Sequence, residues 1–258
     1  MNNFPRMTLI VSPTDQAQEA GAELRQRYQW VEPQDANVIV ALGGDGFMLQ
    51  TLHEMLGRKA PLPVYGMNLG TVGFMMNSFE ADGLHERLAN ARPITLHPLC
   101  MDVHTVSGYH VVYPAINEVS LLRETRQVAK IEITIDGKVR MAELACDGVL
   151  VASPAGSTAY NLSASGPILP LTSDLLAVTP ISPFRPRRWR GALIPANSVV
   201  EFRILDAAKR PVSAVADQVE VRDVATVTVR TDRSQSLDLL FDPEYALDER
   251  IFREQFES

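Results

Sequence analysis

Residues 38–46 have the sequence Val38-Ile39-Val40-Ala41-Leu42-Gly43-Gly44-Asp45-Gly46, in which an apolar stretch is followed by three glycines around one aspartate. A short apolar run bounded by glycines is typical of a strand buried in a parallel sheet. A pattern of helical spacing follows over residues 47–56. The glycines and Asp45 are therefore predicted to form a strand-to-helix turn, at the edge where open α/β sheets bind their ligands.

The segments on either side repeat this alternation of strand and helix. Ser12 can cap the first helix, and Pro13 suits its first position. The order βαβαβα predicts a Rossmann-like parallel α/β domain over residues 1–95. The predicted strands lie at 8–11, 38–42 and 64–68, and the predicted helices at 17–28, 47–56 and 82–91.

The pattern changes after Pro93, where alternation with period two takes over. Two such segments flank Asp136-Gly137, which is a strong signal for a β-hairpin. An antiparallel β-sandwich domain is predicted over residues 96–242. The tail at 243–258 has spaced apolar residues and is a candidate to pack back on the first domain. The strand-like segments lie at 101–106, 109–113, 131–135, 138–145, 199–205, 212–215, 219–221, 226–229 and 237–241.

The composition restricts the class of protein. The 258 residues are 46% hydrophobic and 21% charged, with a net charge of −7. An acidic chain whose one basic run lies at 185–190 is not typical of a nucleic-acid binder. No apolar stretch approaches the roughly 20 residues of a membrane helix, and the N-terminus lacks a signal-peptide pattern. The two cysteines exclude a disulfide framework, so we predict a cytoplasmic protein with reduced thiols and no membrane partner.

The glycine-rich turn allows two interpretations. Glycines let backbone N–H groups approach a phosphate closely, and a carboxylate among them can take the proton of a hydroxyl. The alternative is a tight turn with a capping aspartate, and the pattern alone does not separate the two. The sequence lacks a P-loop, a Gly-x-Gly-x-x-Gly fingerprint and a Gly-x-Ser-x-Gly elbow. A phosphate-binding site in this chain must therefore be formed by a different kind of loop.

Three further segments carry candidate binding residues. The loop at 66–74 has three glycines that let a ligand approach and Phe74 for stacking, although a position of Phe74 in the core is the alternative. Asn117 with Glu118 suits the edges of adenine and ribose, but a strand end with an exposed carboxylate fits as well. Residues 146–167 combine a buried strand with small hydroxyl residues and Tyr160, and such groups hold amides and phosphates.

In this order along the chain, the segments resemble the NAD kinases, which share the Gly-Gly-Asp-Gly turn with diacylglycerol and sphingosine kinases. The resemblance covers nearly the whole chain, and Gly156-Ser157-Thr158-Ala159-Tyr160 is its most specific part, absent from lipid kinases. It implies that Asp45 is the general base for the 2′-hydroxyl of the NAD adenosine, with the glycine amides at the donor phosphates. The residues implied are Gly43, Gly44 and Gly46 for the donor, and Asn68, Phe74, Asn117, Glu118, Asp147, Thr158, Ala159, Tyr160, Ser163 and, as a weaker match, Asp217 for NAD.

The sequence departs from the family pattern at three places. Phe47 stands where Thr commonly follows the turn, which bears on how the donor phosphates are held. Ser153-Pro154-Ala155 replaces Thr-Pro-Thr, and Ala164-Ser165 replaces Gly-Gly. Separately, His97, Cys100 and His104 have metal-like spacing. Alternation along a strand puts His97 on the opposite face from the other two, so no metal site is predicted.

The resemblance implies a mechanism in which NAD lies across a cleft between the two domains. Asp45 accepts the proton of the 2′-hydroxyl as that oxygen attacks the terminal phosphorus of ATP or polyphosphate, with Mg²⁺ held mainly by the donor phosphates. A lipid kinase and a non-catalytic NADP-binding protein are the alternatives. The segment 158–160 argues against a lipid kinase. Asp45 argues weakly against a non-catalytic NADP-binding protein. The family usually forms dimers or tetramers, so a homodimer or homotetramer is expected.

Overall fold

The computed structural model describes residues 4–70 and 73–243. The helices are α1 (Asp15–Arg27), α2 (Asp45–Leu56), α3 (Leu84–Asn90) and α4 (Tyr160–Ser163), with a 3₁₀ turn at Ala155–Thr158. The strands are β1 (Met7–Val11), β2 (Val38–Gly43), β3 (Val64–Asn68), β4 (Asn77–Ser78), β5 (Arg92–Leu96), β6 (Leu99–Thr105), β7 (His110–Ala115), β8 (Glu118–Arg123), β9 (Ala129–Ile135), β10 (Lys138–Cys146), β11 (Gly148–Ala152), β12 (Leu175–Ile181), β13 (Ala192–Pro195), β14 (Val200–Ile204), β15 (Val212–Ala216), β16 (Val219–Val221), β17 (Val224–Thr231) and β18 (Leu237–Phe241).

The described residues divide into two compact units. The first unit contains residues 4–70, 73–96 and 235–243, and the second contains residues 97–234. The first unit is thus built from two separate stretches of chain.

The sheet of the first unit has the strand order β1-β2-β3-β18-β5, with β4 paired to β3. Strands β1, β2, β3 and β18 are parallel, and β5 is an antiparallel edge strand. All six residues of β2 are buried, as expected for a parallel strand that is covered on both faces. The prediction of a Rossmann-like parallel α/β fold is confirmed.

Helix α1 begins at Asp15, two residues after the start that a cap at Ser12 predicts. Its N-cap is Thr14, and Asp15 lies in its first turn, where an acidic side chain interacts favourably with the helix dipole. The backbone N–H of Ser12 instead donates to the Leu42 carbonyl oxygen at 2.9 Å, which extends the pairing of β1 with β2. The assignment of Ser12 as the cap and Pro13 as the first helical residue is therefore wrong.

Strand β18 lies in the sheet of the first unit and not in the β-sandwich. Leu239 pairs in parallel with Val64 of β3, and β18 also pairs along its length with β5. The placement of residues 237–241 in the second domain is therefore wrong. A period-two pattern identifies a strand, but it does not show which sheet the strand joins.

The second unit is an antiparallel β-sandwich. One sheet has the order β10-β9-β14-β17-β6-β7 and the other has the order β13-β12-β11-β8-β15-β16. Buried residues of both sheets form one apolar core. Strands β9 and β10 are joined at Asp136 and Gly137, whose φ angles of 50° and 72° are those that a tight hairpin turn requires. The predicted β-sandwich is confirmed.

Two remaining points concern the chain end and membranes. Residues 244–258, which are most of the tail that the sequence analysis places on the first domain, lie outside the described residues. Among the described helices, none has both the length and the apolar character needed to cross a bilayer.

Candidate functional site

The Gly-Gly-Asp-Gly turn joins β2 to α2. Gly43 ends the strand, Gly44 is the N-cap of the helix, and Asp45 is the first helical residue. The backbone N–H groups of Phe47 and Met48 both donate to the Gly44 carbonyl oxygen at 3.0 Å. Asp45 therefore lies at the start of a 12-residue helix, where the unpaired backbone N–H groups of the first turn are found.

The Asp45 carboxylate is held by the segment that follows β3. The backbone N–H of Phe74 donates to Oδ2 at 2.6 Å, and that of Met75 donates to Oδ1 at 3.1 Å. A Cβ at Gly73 would lie 2.3 Å from Oδ1, so a larger residue there would displace the carboxylate. The carboxylate is thus fixed in position, and each oxygen keeps a lone pair for another hydrogen bond.

The glycines of the turn have different surroundings. A Cβ at Gly43 would lie 2.8 Å from Cδ1 of Phe47, so packing within the unit requires glycine at this position. A Cβ at Gly44 or Gly46 would meet no atom within 4 Å. Packing therefore does not explain the glycines at 44 and 46, and the space beside them at the start of α2 is open.

Asn68 and Phe74 were both predicted to contact NAD, and their environments differ. Asn68 ends β3 and is half-buried, and its Oδ1 accepts a hydrogen bond from the Gly70 N–H at 3.0 Å. The Phe74 side chain is only 3% exposed, which corresponds to the alternative that places it in the core. Phe74 thus presents no face for stacking, and its contribution is the backbone N–H that holds Asp45.

In the second unit, Asp217 positions the segment that carries Asn117 and Glu118. Asp217 lies in the turn between β15 and β16 with a φ of 49°, a conformation that aspartate tolerates. Its Oδ2 accepts a hydrogen bond from the Ile116 N–H at 2.6 Å. Its Oδ1 accepts hydrogen bonds from the N–H groups of Asn117 at 3.0 Å and Glu118 at 3.1 Å. These three hydrogen bonds give the Asp217 carboxylate a role in holding the backbone of residues 116–118.

The loop after β11 also holds this segment. The backbone N–H of Ser153 donates to the Asn117 carbonyl oxygen at 2.9 Å, and Ser153 Oγ donates to the Ile116 carbonyl oxygen at 2.6 Å. A Cβ at Gly156 would lie 2.2 Å from the Asn117 carbonyl oxygen, so the loop and the segment approach each other as closely as glycine allows. The backbone of residues 116–118 is therefore held by two separate parts of the chain.

Asn117 and Glu118 each bury a hydrogen-bond acceptor that has no partner in the part of the chain that the structure describes. The atoms are Asn117 Oδ1 and Glu118 Oε2. The pKa of the Glu118 carboxyl is raised to about 7, first by burial and then by the Asp217 carboxylate, while a hydrogen bond from the Tyr160 backbone N–H opposes the rise. Leaving a buried polar atom unpaired costs roughly 1–3 kcal/mol, so these two acceptors indicate a place for a ligand with donors.

The predicted residues Thr158, Ala159 and Tyr160 are half-buried at the start of α4, and Ser163 at its end is exposed. Buried Asn161 holds the loop around them. Its Nδ2 donates to the carbonyl oxygens of Ser157 at 3.1 Å and Pro167 at 2.8 Å. Its Oδ1 accepts a hydrogen bond from Thr179 Oγ1 at 2.6 Å. The hydroxyl-rich loop is thus an ordered part of the second unit.

Tyr160 lies within electrostatic reach of two other predicted residues. Its pKa is raised, first by burial and then by the carboxylates of Glu118 and Asp147. Tyr160 and Ser163 also line a pocket of about 270 Å³ in the second unit, together with Trp189. Tyr160 is therefore within electrostatic reach of both carboxylates, although Glu118 and Asp147 lie at opposite ends of the paired strands β8 and β11.

Asp147 has a cationic partner that the sequence analysis missed. Arg123 Nε donates to Asp147 Oδ1 at 2.6 Å, and both side chains are about one-third exposed, at 32% and 30%. Arg123 ends β8 and Asp147 precedes β11, and these two strands are antiparallel neighbours. The pair depends on strand register, which the sequence did not show. Other supporting residues that the sequence analysis did not single out are Gly73, Ser153, Ser157 and Asn161.

The predicted residues therefore form two groups, one in each unit. The group in the first unit contains Asp45, the glycines at 43, 44 and 46, Asn68 and Phe74. The group in the second unit contains Asn117, Glu118, Asp147, Thr158, Ala159, Tyr160, Ser163 and Asp217.

The chain is similar to known proteins over nearly its whole length. The chain is 65% identical over 251 residues to the NAD kinase of Rhizorhabdus wittichii, covering 97% of this chain and 98% of that protein. It is 61% identical over 253 residues to the NAD kinase of Zymomonas mobilis, covering 98% of each. Residues 116–237 match the ATP-NAD kinase C-terminal domain.

Two solved structures share the fold. The crystal structure of yeast NADH kinase complexed with NADH has a TM-score of 0.80 at 22% identity and covers 100% of this chain and 89% of that one. The structure of an NAD kinase from Archaeoglobus fulgidus in complex with ATP has a TM-score of 0.74 at 22% identity, with coverage of 96% and 98%. With relatives of this identity along nearly the full length, the chain belongs to the NAD kinase family.

Proposed function

We propose that this chain transfers the terminal phosphoryl group of ATP to the 2′-hydroxyl of the adenosine ribose of NAD, which gives NADP. The observation that carries the proposal is the pair of buried acceptors without partners, Asn117 Oδ1 and Glu118 Oε2. An adenosine offers matching donors, the amino group of its base and the hydroxyl groups of its ribose. Binding of the adenosine half of NAD therefore pairs both atoms and removes the cost of leaving them unpaired.

Asp45 acts in this proposal as the general base. Its carboxylate is held by the N–H groups of Phe74 and Met75, so its remaining lone pairs have fixed directions. One of these lone pairs accepts the proton of the 2′-hydroxyl while that oxygen attacks the terminal phosphorus. Positioning and electrostatic stabilisation contribute most of the rate in phosphoryl transfer, and a fixed carboxylate supplies the first of these.

The donor phosphates are proposed to lie at the start of α2. The open space beside Gly44 and Gly46 admits a phosphate, and the helix dipole together with the unpaired N–H groups favours an anion there. Phe47 packs against Gly43, so it supports the turn instead of supplying the hydroxyl that threonine would offer the donor.

Mg²⁺ is proposed to arrive with the donor. Among the described residues, three side chains able to hold a metal come together only at Asp102, His104 and His110. This set contains two imidazoles, whereas Mg²⁺ prefers oxygen ligands. The protein therefore fits a Mg²⁺ ion that is bound mainly by donor phosphates and water, and the ion neutralises charge on the transferred group.

Further parts of the proposal rest on the family relationship. Asp147 and Ser163 are placed beside the nicotinamide half of NAD, with Thr158, Ala159 and Tyr160 lining the rest of the dinucleotide site. A cytoplasmic homodimer or homotetramer is the proposed form. Because the similar yeast structure contains NADH and the Archaeoglobus fulgidus structure contains ATP, NADH and ATP are tested beside NAD and polyphosphate.

The test is an assay of NADP formation by the purified protein and its Asp45→Asn variant, with Mg²⁺ and either ATP or polyphosphate. Loss of the base is expected to lower turnover by roughly 10²–10⁴-fold. Asparagine also places an NH₂ group against the backbone N–H of Phe74 or Met75, which disturbs the turn as well as the chemistry. NADP binding and the melting temperature of the variant are therefore measured alongside turnover.

Three outcomes separate the possibilities. Lost turnover with intact NADP binding supports Asp45 as the base. Near-normal turnover of Asp45→Asn contradicts that role. If the unmodified protein binds NADP and forms none from NAD or NADH with either donor, the chain is the non-catalytic NADP-binding protein that was the alternative.

A further inference from the structure

We propose that Asp102, His104 and His110 form a binding site for a divalent transition-metal ion such as Zn²⁺. None of these residues is assigned to NAD or to the phosphoryl donor. The site lies on the hairpin of β6 and β7, and β7 is the edge strand of its sheet. Asp102 and His104 are two residues apart on β6 and so project from the same face. His110 of β7 is the direct cross-strand partner of His104, which brings the second imidazole to that face.

The distances between the ligand atoms are close to those that a metal ion needs. Asp102 Oδ1 lies 2.9 Å from His110 Nε2 and 3.9 Å from His104 Nε2, so both imidazoles converge on one carboxylate oxygen. All three ligand atoms lie within 4.8 Å of one another. With Zn–N and Zn–O bonds of about 2.0–2.1 Å, the ligand atoms of a tetrahedral site are about 3.3 Å apart. Side-chain rotations that shift each ligand atom by less than a bond length bring the three atoms to that spacing.

The two imidazole rings are already arranged in parallel. Their centroids are 4.3 Å apart and their planes differ by 9°, so the rings are stacked. The side chains of His104, His110 and Asp102 are 58%, 50% and 32% exposed. An ion therefore reaches the three ligand atoms directly from solvent, and water fills its remaining coordination positions.

The charges around Asp102 also favour a cation. Its ion-pair partners on this face are the two histidines, and the residues directly opposite Asp102 and His104 on β17 are the uncharged Thr228 and Thr226. No lysine or arginine pairs with Asp102 within residues 4–70 and 73–243.

The donor set selects the class of metal. Two imidazoles and one carboxylate suit Zn²⁺, Cu²⁺, Ni²⁺ or Fe²⁺, whereas Mg²⁺ and Ca²⁺ prefer sites made only of oxygen. The site is therefore distinct in chemistry from the Mg²⁺ that accompanies ATP. An ion bound by residues of β6 and β7 also links the edge strand to its neighbour, and it stabilises the second unit because it binds only the folded arrangement.

The experiment is a calorimetric titration of the full chain with ZnCl₂, after removal of metals by a chelator. Excess Mg²⁺ is present and nucleotides are absent, so that Zn²⁺ is not captured by phosphates. One Zn²⁺ per chain is expected to bind, and His110→Ala and Asp102→Asn are each expected to weaken that binding at least about tenfold. Zn²⁺ should raise the melting temperature of the unmodified protein but not that of His110→Ala.

Two variants control for other binding modes. His85→Gln removes an imidazole of the first unit, and Cys100→Ala removes the thiol that lies on the same strand as Asp102. Both are expected to bind Zn²⁺ as the unmodified protein does. A second readout is the electron paramagnetic resonance of bound Cu²⁺, which should show nitrogen coupling that His110→Ala reduces. Equal Zn²⁺ affinity of His110→Ala and the unmodified protein, or loss of binding in Cys100→Ala, overturns the proposal.

Discussion

The Glu118 carboxyl is buried, one of its oxygens has no partner among the described residues, and its pKa is raised to about 7. These three facts are connected, because contacts to Asp217 and Ser153 hold the backbone of residues 116–118 from which the side chain projects. A residue arranged in this way lowers the stability of the protein without ligand. It is retained, in our proposal, because NAD supplies the missing donors.

A pH dependence of stability follows at this residue. The folded-state pKa of about 7 lies above the ordinary value of 4.5, so the folded state favours the protonated carboxyl. Its ionisation therefore begins to reduce stability as the pH rises above 4.5, and the full cost is present above 7. Relative to Glu118→Gln, the unmodified protein is expected to lose about 2.5 kcal/mol of unfolding free energy between pH 5 and pH 8.

The measurement is urea unfolding of both proteins at pH 5 and pH 8 without ligand. Comparing the two pH values cancels any constant cost of burying the glutamine amide. Glu118→Gln should also weaken NAD binding, since a carboxylate oxygen that accepts hydrogen bonds is lost. An unfolding free-energy difference that is the same at both pH values contradicts the raised pKa.

At the scale of the element, a substitution in the turn between β2 and α2 is expected to affect stability and activity differently. Gly46 lies in helix α2 with open space where a Cβ would be, so Gly46→Ala creates no clash and favours the helix by about 0.5 kcal/mol. The added methyl group occupies the space proposed for the donor phosphates. We expect Gly46→Ala to be at least as stable as the unmodified protein, while kcat/KM for ATP falls at least about tenfold.

Gly57 at the other end of α2 provides the matched control for this substitution. It has a helical φ of −75°, and a Cβ there would meet only the Glu54 carbonyl oxygen at an ordinary 3.7 Å. Gly57→Ala is therefore expected to keep both stability and activity. Melting temperatures and steady-state kinetics of the two variants test the idea, and an equal kcat/KM for ATP in both would remove the phosphate role from Gly46.

The elements also show how far the sequence could be interpreted. The strand predicted at 38–42, the turn at Asp45 and the hairpin at Asp136-Gly137 follow from local patterns, and the structure contains all of them. The sheet that β18 joins, the contacts of the Asp217 carboxylate and the Arg123–Asp147 pair depend on residues distant in sequence. Phe74 was ambiguous because a phenylalanine after a glycine is equally compatible with stacking and with the core. Local turns and strands were thus predictable, whereas contacts between residues distant in sequence were not.

At the scale of the whole molecule, the two units differ in whether they are built from one stretch of chain or from two. The buried core of the second unit draws its residues from 99–229, which is one continuous stretch. The core of the first unit includes Leu240 of β18, which returns after the whole second unit. Polar contacts hold that strand: Asn77 Nδ2 donates to the Leu240 carbonyl oxygen at 2.9 Å, and Arg87 Nη2 contacts Asp242 Oδ2 at 2.6 Å.

This arrangement predicts how fragments of the chain behave. Residues 97–234 contain the complete core of the second unit, so this fragment is expected to fold alone and to melt cooperatively by circular dichroism. Residues 1–96 lack β18, which removes one neighbour of β3 and the strand that pairs with β5. The loss also leaves Asn77, Arg87 and Tyr65 without the partners that Leu240 and Asp242 provide. Each unpaired buried group costs roughly 1–3 kcal/mol, so this fragment is expected to remain unfolded.

Adding the missing strand is the control for this prediction. A variant in which residues 1–96 are joined by a flexible glycine-serine linker to residues 235–258 restores β18 and should melt cooperatively, whereas 1–96 alone should not. The same linked chain with Asp242→Ala should melt at a lower temperature, because Arg87 and Tyr65 then lose a shared partner. If residues 1–96 alone fold as stably as the linked chain, β18 is dispensable. The first unit would then be complete before the chain enters the β-sandwich.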